Sequence, residues 1–220
     1  MSIAETVNVV LAHGAWADGS SWSRAIARLK HHSLDVIAAP LPLTTLADDV
    51  AALDRAMART EGPVVPSSHT YAGAVISSWT SPRLRSLVFI NSLTPDEGET
   101  VANAFFREQQ HPKTPALEAD QDGLVWLPDT AFRRCVCSKR LSGRTALAGG
   151  RSATDQRSLH QRTDKMPTCR STPSWYLIAE DDLMISPKTQ DFPAERMNAT
   201  VQKSIPTIRR SSQRRIKSSA

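Results

Sequence analysis

The first ninety residues of the chain alternate between two hydrophobic rhythms. Residues 6–12 (TVNVVLA) form a near-continuous apolar, β-branched run that stops at His13 and Gly14, the mark of a buried strand ending in a turn. In residues 20–30, Trp22, Ile26 and Leu29 are spaced by four and three, which predicts a helix with one apolar face. A second strand is predicted over residues 34–39, closed by Pro40 and Pro42. Thr45, with Asp48 three residues on, reads as the cap of a second helix. Its stripe is Leu46, Val50, Leu53 and Met57, and its end is predicted near Glu61 and Gly62. Further strands are predicted at residues 63–65, 86–91 and 174–179. Strands alternating with helices in this way imply an α/β fold, a mostly parallel sheet with helices on both faces.

Two stretches keep neither rhythm. Residues 135–172 contain Gly149 and Gly150 among scattered Ser, Thr and Arg, and the tail from Lys203 holds only Ile205, Ile208 and Ile216 as large apolar residues. Both are expected to be poorly ordered, leaving the C-terminal part of the fold incomplete. Charge changes at the same places. Residues 133–170 carry ten Lys/Arg against Asp155 and Asp164, and residues 201–220 carry six with no acid. The remainder holds 11 basic and 20 acidic residues, so a net charge of +5 conceals an acidic body with two basic segments. These segments lack the interleaved aromatics and motifs of a nucleic-acid binder, so solvated chain is the preferred reading and anionic-polymer binding an alternative. A shifted reading frame near residues 133, 172 and 202 would also account for the abrupt boundaries.

Composition narrows the class only a little. A chain of 220 residues that is 40% hydrophobic suits a single domain, here residues 1–220. No apolar run reaches bilayer length and no secretory pattern opens the chain, so neither membrane nor export is expected. Cys135, Cys137 and Cys169 make no disulfide framework or zinc pair, which favours free thiols in a cytoplasmic setting with no metal and no cofactor.

In a parallel sheet, ligands bind beyond the carboxyl ends of the strands. Three such ends carry distinctive residues: His13-Gly14-Ala15-Trp16, Ser68-His69-Thr70-Tyr71-Ala72-Gly73, and Glu180-Asp181-Asp182. Taken with HGAWADGSSW, NSLTPDEGE and AEDDLMISPKTQ at these separations, the chain resembles the α/β-hydrolase superfamily. The similarity is to its small esterase-like branch, related to plant methylesterases and hydroxynitrile lyases. It covers residues 6–107 and 173–200, and leaves 133–172 and 201–220 atypical. The resemblance implies hydrolysis of a small ester through an acyl-enzyme. It puts Thr70 at the nucleophile of a tight strand-to-helix elbow, with the N–H groups of Tyr71 and Ala15 as the oxyanion hole. His13 and Gly14 then shape the oxyanion loop, and Asp182 is the acid, with Asp181 as the fallback.

The departures from that pattern matter as much as the matches. Thr70 stands where the family has Ser, adding a methyl group at a position that needs positive φ. Ser68 and Ala72 replace glycines, and Pro66 falls inside a strand expected to be central. The family's histidine follows its acid, yet the histidines here are His13, His31, His32, His69, His111 and His160, none beyond Asp182. A small-molecule ester hydrolase with weak or lost activity is therefore expected, its triad degenerate. The alternative at the same pocket is a catalytically silent small-molecule binder.

Overall fold

A sheet of six parallel strands, in the order β2-β1-β3-β4-β7-β8, forms the centre of the fold in a computed structural model. The structure describes residues 6–128, 153–163 and 166–204. In chain order the elements are β1 (Asn8–Ala12), α1 (Ser23–His31), β2 (Asp35–Ala39), α2 (Leu46–Met57), β3 (Val64–Thr70), α3 (Ala72–Ser77), β4 (Leu87–Ser92) and α4 (Val101–Phe105). They continue with β5 (Leu124–Trp126), β6 (Ala153–Asp155), α5 (Gln156–His160), β7 (Ser174–Ile178), α6 (Pro187–Arg196) and β8 (Thr200–Lys203). β5 and β6 pair antiparallel as a separate ribbon. The α/β class and parallel sheet are as the sequence predicts. The strand reads slide by only one or two residues, except that β3 runs on to Thr70.

Burial explains why the apolar runs became strands. Every residue of β1 is buried, because it lies between β2 and β3 with helices above and below. β3 is central, and it does contain Pro66. Val64 bonds the β4 side through both its N–H (to Arg83 O) and its carbonyl (from Arg85 N). Since bonds alternate sides along a strand, Pro66 faces β4 as well. The β3–β4 ladder begins only at Ser67↔Val88, above an isolated bridge at Val64↔Leu84. The missing donor therefore falls in a gap, which is why a central strand accommodates the proline.

Two expectations are corrected. Thr45 caps α2 by accepting the Asp48 N–H at 3.0 Å, but the helix ends at Met57, short of Glu61 and Gly62. The Arg83 guanidinium bonds the carbonyls of Met57 and Thr60, and the Thr60 hydroxyl also donates to Met57 O, so the last carbonyls find partners without another turn. The second correction concerns residues 153–163 and 166–172, expected to lack order. They supply β6, α5 and a 3-10 turn, with Thr154, Ser158 and Cys169 buried. Their anchors are backbone and side-chain bonds to distant loops. Asp155 N donates to Leu43 O at 3.0 Å, Thr163 N to Glu99 O at 3.0 Å, and Leu46 N to Gln161 Oε1 at 3.0 Å. Such contacts leave no period in the sequence. The expectations for residues 133–152 and 205–220 lie outside the described residues.

β8, which the hydrophobic pattern did not announce, pairs with β7 from Trp175↔Thr200 to Ile178↔Lys203. All four of its residues are exposed, so backbone pairing rather than burial holds it there.

Candidate active site

The turn from β3 into α3 places Thr70 at φ 48°, in the left-handed region. Two close approaches impose this turn. Gly73 on α3 lies against the backbone of Leu93 and the side chain of Ser92, where a Cβ would collide with both. Gly14, after β1, lies against the Thr70 hydroxyl, so a side chain there would displace Oγ1. Both glycines are needed for what they lack. Ser68 is accommodated because its Oγ bonds the Ser92 Oγ at 2.9 Å, which gives the buried hydroxyl a partner.

Around Thr70 a cavity of about 120 Å³ opens under the ribbon and α5. Ala15, Thr70, Tyr71 and Asp182 line it together, four residues from three strand ends that the sequence singles out. Asp181 is exposed and does not line it. The walls are mainly apolar, with Val101, Phe105, Leu117, Val125 and Leu159 among them. Trp16 closes one side, its indole N–H donating to Val125 O at 2.7 Å and tying the loop after β1 to the ribbon.

His13 does not reach into the cavity. It is buried, with Nε2 accepting the Leu41 N–H at 3.2 Å and Nδ1 lying 3.1 Å from Gly14 O. An acceptor at Nε2 requires the proton on Nδ1, so the neutral ring bridges two loops. Tyr71 sends its hydroxyl the other way, to Asp49 Oδ2 at 2.5 Å, while Asp49 Oδ1 accepts the Leu43 N–H at 2.8 Å. Asp49 is wholly buried, and desolvation raises its carboxyl pKa against the lowering effect of these bonds. Burial likewise raises the Tyr71 phenol, with the Asp49 carboxylate adding to it. The N–H groups of Ala15 and Tyr71 take no partner in the loop hydrogen bonds of the described residues.

Asp182 is held at the end of β7 by the N–H groups of Met184 and Ile185, both 2.7 Å from Oδ1. Its Oδ2 accepts from Asn91 Nδ2 at 2.8 Å. Burial raises the carboxyl pKa, and these three donors oppose the rise. Asn91 comes from a bulge: the β3–β4 register jumps from His69↔Ile90 to Thr70↔Ser92, and Asn91 adopts φ 47°.

Two histidines line the cavity, His69 and His160. His69 packs edge-on against Trp22 with centroids 6.3 Å apart, and desolvation pushes its pKa down to about 4. No hydrogen bond joins either imidazole to Thr70 or Asp182 among the described residues. His160 reaches the cavity only because α5 folds over it, and nothing in its sequence context signals that. Asn91 stood at a strand's carboxyl end, where its position was a usable signal. Among the described residues no cluster of His, Cys, Asp or Glu suits a metal ion, and no helix is long and apolar enough to cross a membrane.

A hydroxyl residue on a left-handed strand-to-helix turn, at the carboxyl edge of a parallel sheet and with a carboxylate in the same cavity, defines the α/β-hydrolase class. The chain belongs to the alpha/beta hydrolase family, which it matches over residues 9–210. The comparison with curated proteins yields no match. Among solved structures, a pyrethroid hydrolase from Sphingobium faniae JZ-2 aligns with a TM-score of 0.74 at 16% identity, covering 90% of this chain and 89% of that one. An extracellular α/β-hydrolase from a Paenibacillus species aligns at 0.73 and 18% identity, with 90% and 89% covered. Polyneuridine aldehyde esterase aligns at 0.69 and 16%, with 91% of each chain covered. At these identities the likeness is one of fold.

Proposed function

We propose that this protein is a small-molecule ester hydrolase that works through an acyl-enzyme on Thr70, with slow turnover. The observation that carries the reading is Thr70 at φ 48° beside a cavity that Asp182 also lines. In the proposed reaction, Thr70 Oγ1 attacks the ester carbonyl carbon and the alcohol leaves with a proton. Water then attacks the acyl group and releases the acid and the free hydroxyl. In this reading the N–H groups of Ala15 and Tyr71 bond the oxyanion, and His13 and Gly14 shape the loop that carries the first of them.

Slow turnover follows from the missing base. No histidine follows Asp182 in the sequence, and Asp182 already accepts bonds at both oxygens. Loss of a triad member costs orders of magnitude but leaves residual catalysis from the oxyanion hole and binding. The test is hydrolysis of 4-nitrophenyl acetate beside intact-mass detection of an acetyl adduct. The wild type should exceed the uncatalysed rate and acquire the adduct, and Thr70→Ala should be slower than the wild type and acquire no adduct. Equal rates in both proteins would defeat the acyl-enzyme reading. A second reading, a silent small-molecule binder, is favoured by an Asp182 carboxylate that bonds two backbone N–H groups and Asn91 and no imidazole among the described residues, and it predicts ligand binding without turnover. The neighbours' names support an ester as the ligand class, and no cofactor is invoked. Anionic-polymer binding through the basic segments remains a separate proposal, testable by salt-dependent binding to DNA. A cytoplasmic location is likewise a proposal, resting on cysteines unsuited to a disulfide framework.

A further inference from the structure

Leu43 holds a backbone conformation that its own side chain opposes. It stands at φ 58°, in the left-handed region, where a bulky residue is strained. Such strain persists only where the surroundings over-determine it, and it gathers at clamps and ligand sites. Two bonds hold Leu43 there. Its N–H donates to Asp49 Oδ1 at 2.8 Å, and its carbonyl accepts the Asp155 N–H at 3.0 Å. The first bond comes from the core, since Asp49 lies on α2 and is wholly buried. The second comes from the cover of the cavity, since Asp155 ends β6 and caps α5. That cover, the ribbon with α5, supplies Val125, Gln156, Leu159 and His160 to the cavity wall. The other oxygen of Asp49 accepts the Tyr71 hydroxyl at 2.5 Å, so the same carboxylate also grips the residue after Thr70. Ser158 of α5, fully buried, lies beside that phenol.

We infer that Asp49 is a positioning residue that keeps the cavity covered. Its carboxylate fixes Leu43 in the left-handed conformation that docks β6 and α5, and it ties that cover to the elbow through Tyr71. The inference rests on the cavity beside Thr70 and Asp182 being the ligand site, and it holds whether the ligand is turned over or only bound. The chemistry of the donors explains why a carboxylate stands here. Leu43 presents an N–H and Tyr71 an O–H, so the group between them must accept twice, on two separate oxygens. An apolar residue in its place would leave both donors buried and unpaired. Without the Asp49 bond, Leu43 relaxes to negative φ, and its carbonyl turns away from the Asp155 N–H. The neighbouring anchor, from Leu46 N–H to Gln161 Oε1 at 3.0 Å, is a single neutral bond and does not fix Leu43. A cover released in this way opens more often, and ligand enters and leaves faster.

The experiment is amide hydrogen exchange on the full chain, resolved by residue with NMR, for the wild type, Asp49→Ala and Asp49→Asn. The asparagine keeps an acceptor for Leu43, whose N–H can only donate, and the Tyr71 hydroxyl can turn to accept from the amide nitrogen. Exchange over residues 153–163 should quicken about tenfold or more in Asp49→Ala, while β1 and β3 change by less than about threefold. Asp49→Asn should rescue the cover, staying within about threefold of the wild type in both regions. Should the alanine variant not fold, the wild type still decides. Its Leu43 and Asp155 amides should be protected equally within about threefold, because the turn that frees one frees the other. An even rise across β1, β3 and the cover would reduce Asp49 to a general stabiliser and overturn the inference. So would a cover that Asp49→Ala leaves closed, one that opens as much in Asp49→Asn, or Leu43 and Asp155 amides that open separately. Ester turnover plays no part in the measurement, so a protein that cleaves no ester loses only the hydrolase reading.

Discussion

Thr70 meets two demands that oppose one another. Its place on the elbow requires φ near 48°, and its branched Cβ resists that conformation. Thr70→Ser keeps the hydroxyl and removes the methyl group. It should stabilise the fold by about 1 kcal/mol in urea unfolding, since the backbone strain falls. On the proposed reading it should change kcat/KM for an aryl ester by less than about tenfold, because nucleophile and base act as a unit and no histidine follows Asp182. A gain of a hundredfold would show that His69 or His160 already serves as that base. The sequence motif pointed to Thr70, Tyr71, Ala15 and Asp182, which line one cavity. It could not find the partners that hold Asp182, because Asn91 is 91 residues away and meets it only through the sheet.

Among the elements, α3 is the one whose placement the site depends on. Its six residues are all buried, and Gly73 lets it approach the end of β4 closely. Gly73→Ala would drive a methyl group into the Leu93 backbone, which cannot yield as a flexible side chain would. A loss of about 2–3 kcal/mol in chemical denaturation is expected, as for overpacking a tight core. A loss below about 0.5 kcal/mol would mean that the approach is looser than the geometry implies. The strands were legible in the sequence because parallel strands buried on both faces leave apolar runs. α5, β6 and β8 were not, for two reasons. α5 and β6 are short and held by polar contacts with distant loops, and β8 is exposed throughout and held by backbone pairing alone.

At the scale of the whole molecule, buried ionisable groups set the pH dependence of stability, and they oppose one another. An unfolded histidine protonates near its ordinary value of 6.5, whereas folded His69 resists until about 4. Between these values the unfolded chain binds the extra proton, so His69 contributes stability that is lost as pH falls from about 6.5 towards 4, by roughly 3 kcal/mol. Asp49 acts in the opposite direction. Its folded pKa is raised above 3.8, so its contribution is present at low pH and lost as pH rises through the folded value. Urea unfolding across pH 4 to 7 separates the two. The stability of the wild type relative to His69→Gln should fall as pH drops from 6.5, and relative to Asp49→Asn it should fall as pH rises from about 4. Parallel curves for wild type and variant would remove that residue from the account.

What the sequence by itself determined is the alternation of buried strands with helices, the parallel sheet it implies, and the hydroxyl and carboxylate at strand ends. These follow from local periodicity and from residue types that certain turns require, both written along the chain. The cavity, the Asn91–Asp182 pair and the arrival of His160 at the same opening were decided only by tertiary structure. They depend on a register jump between β3 and β4 and on side-chain bonds between residues far apart in the chain, neither of which leaves a periodic trace.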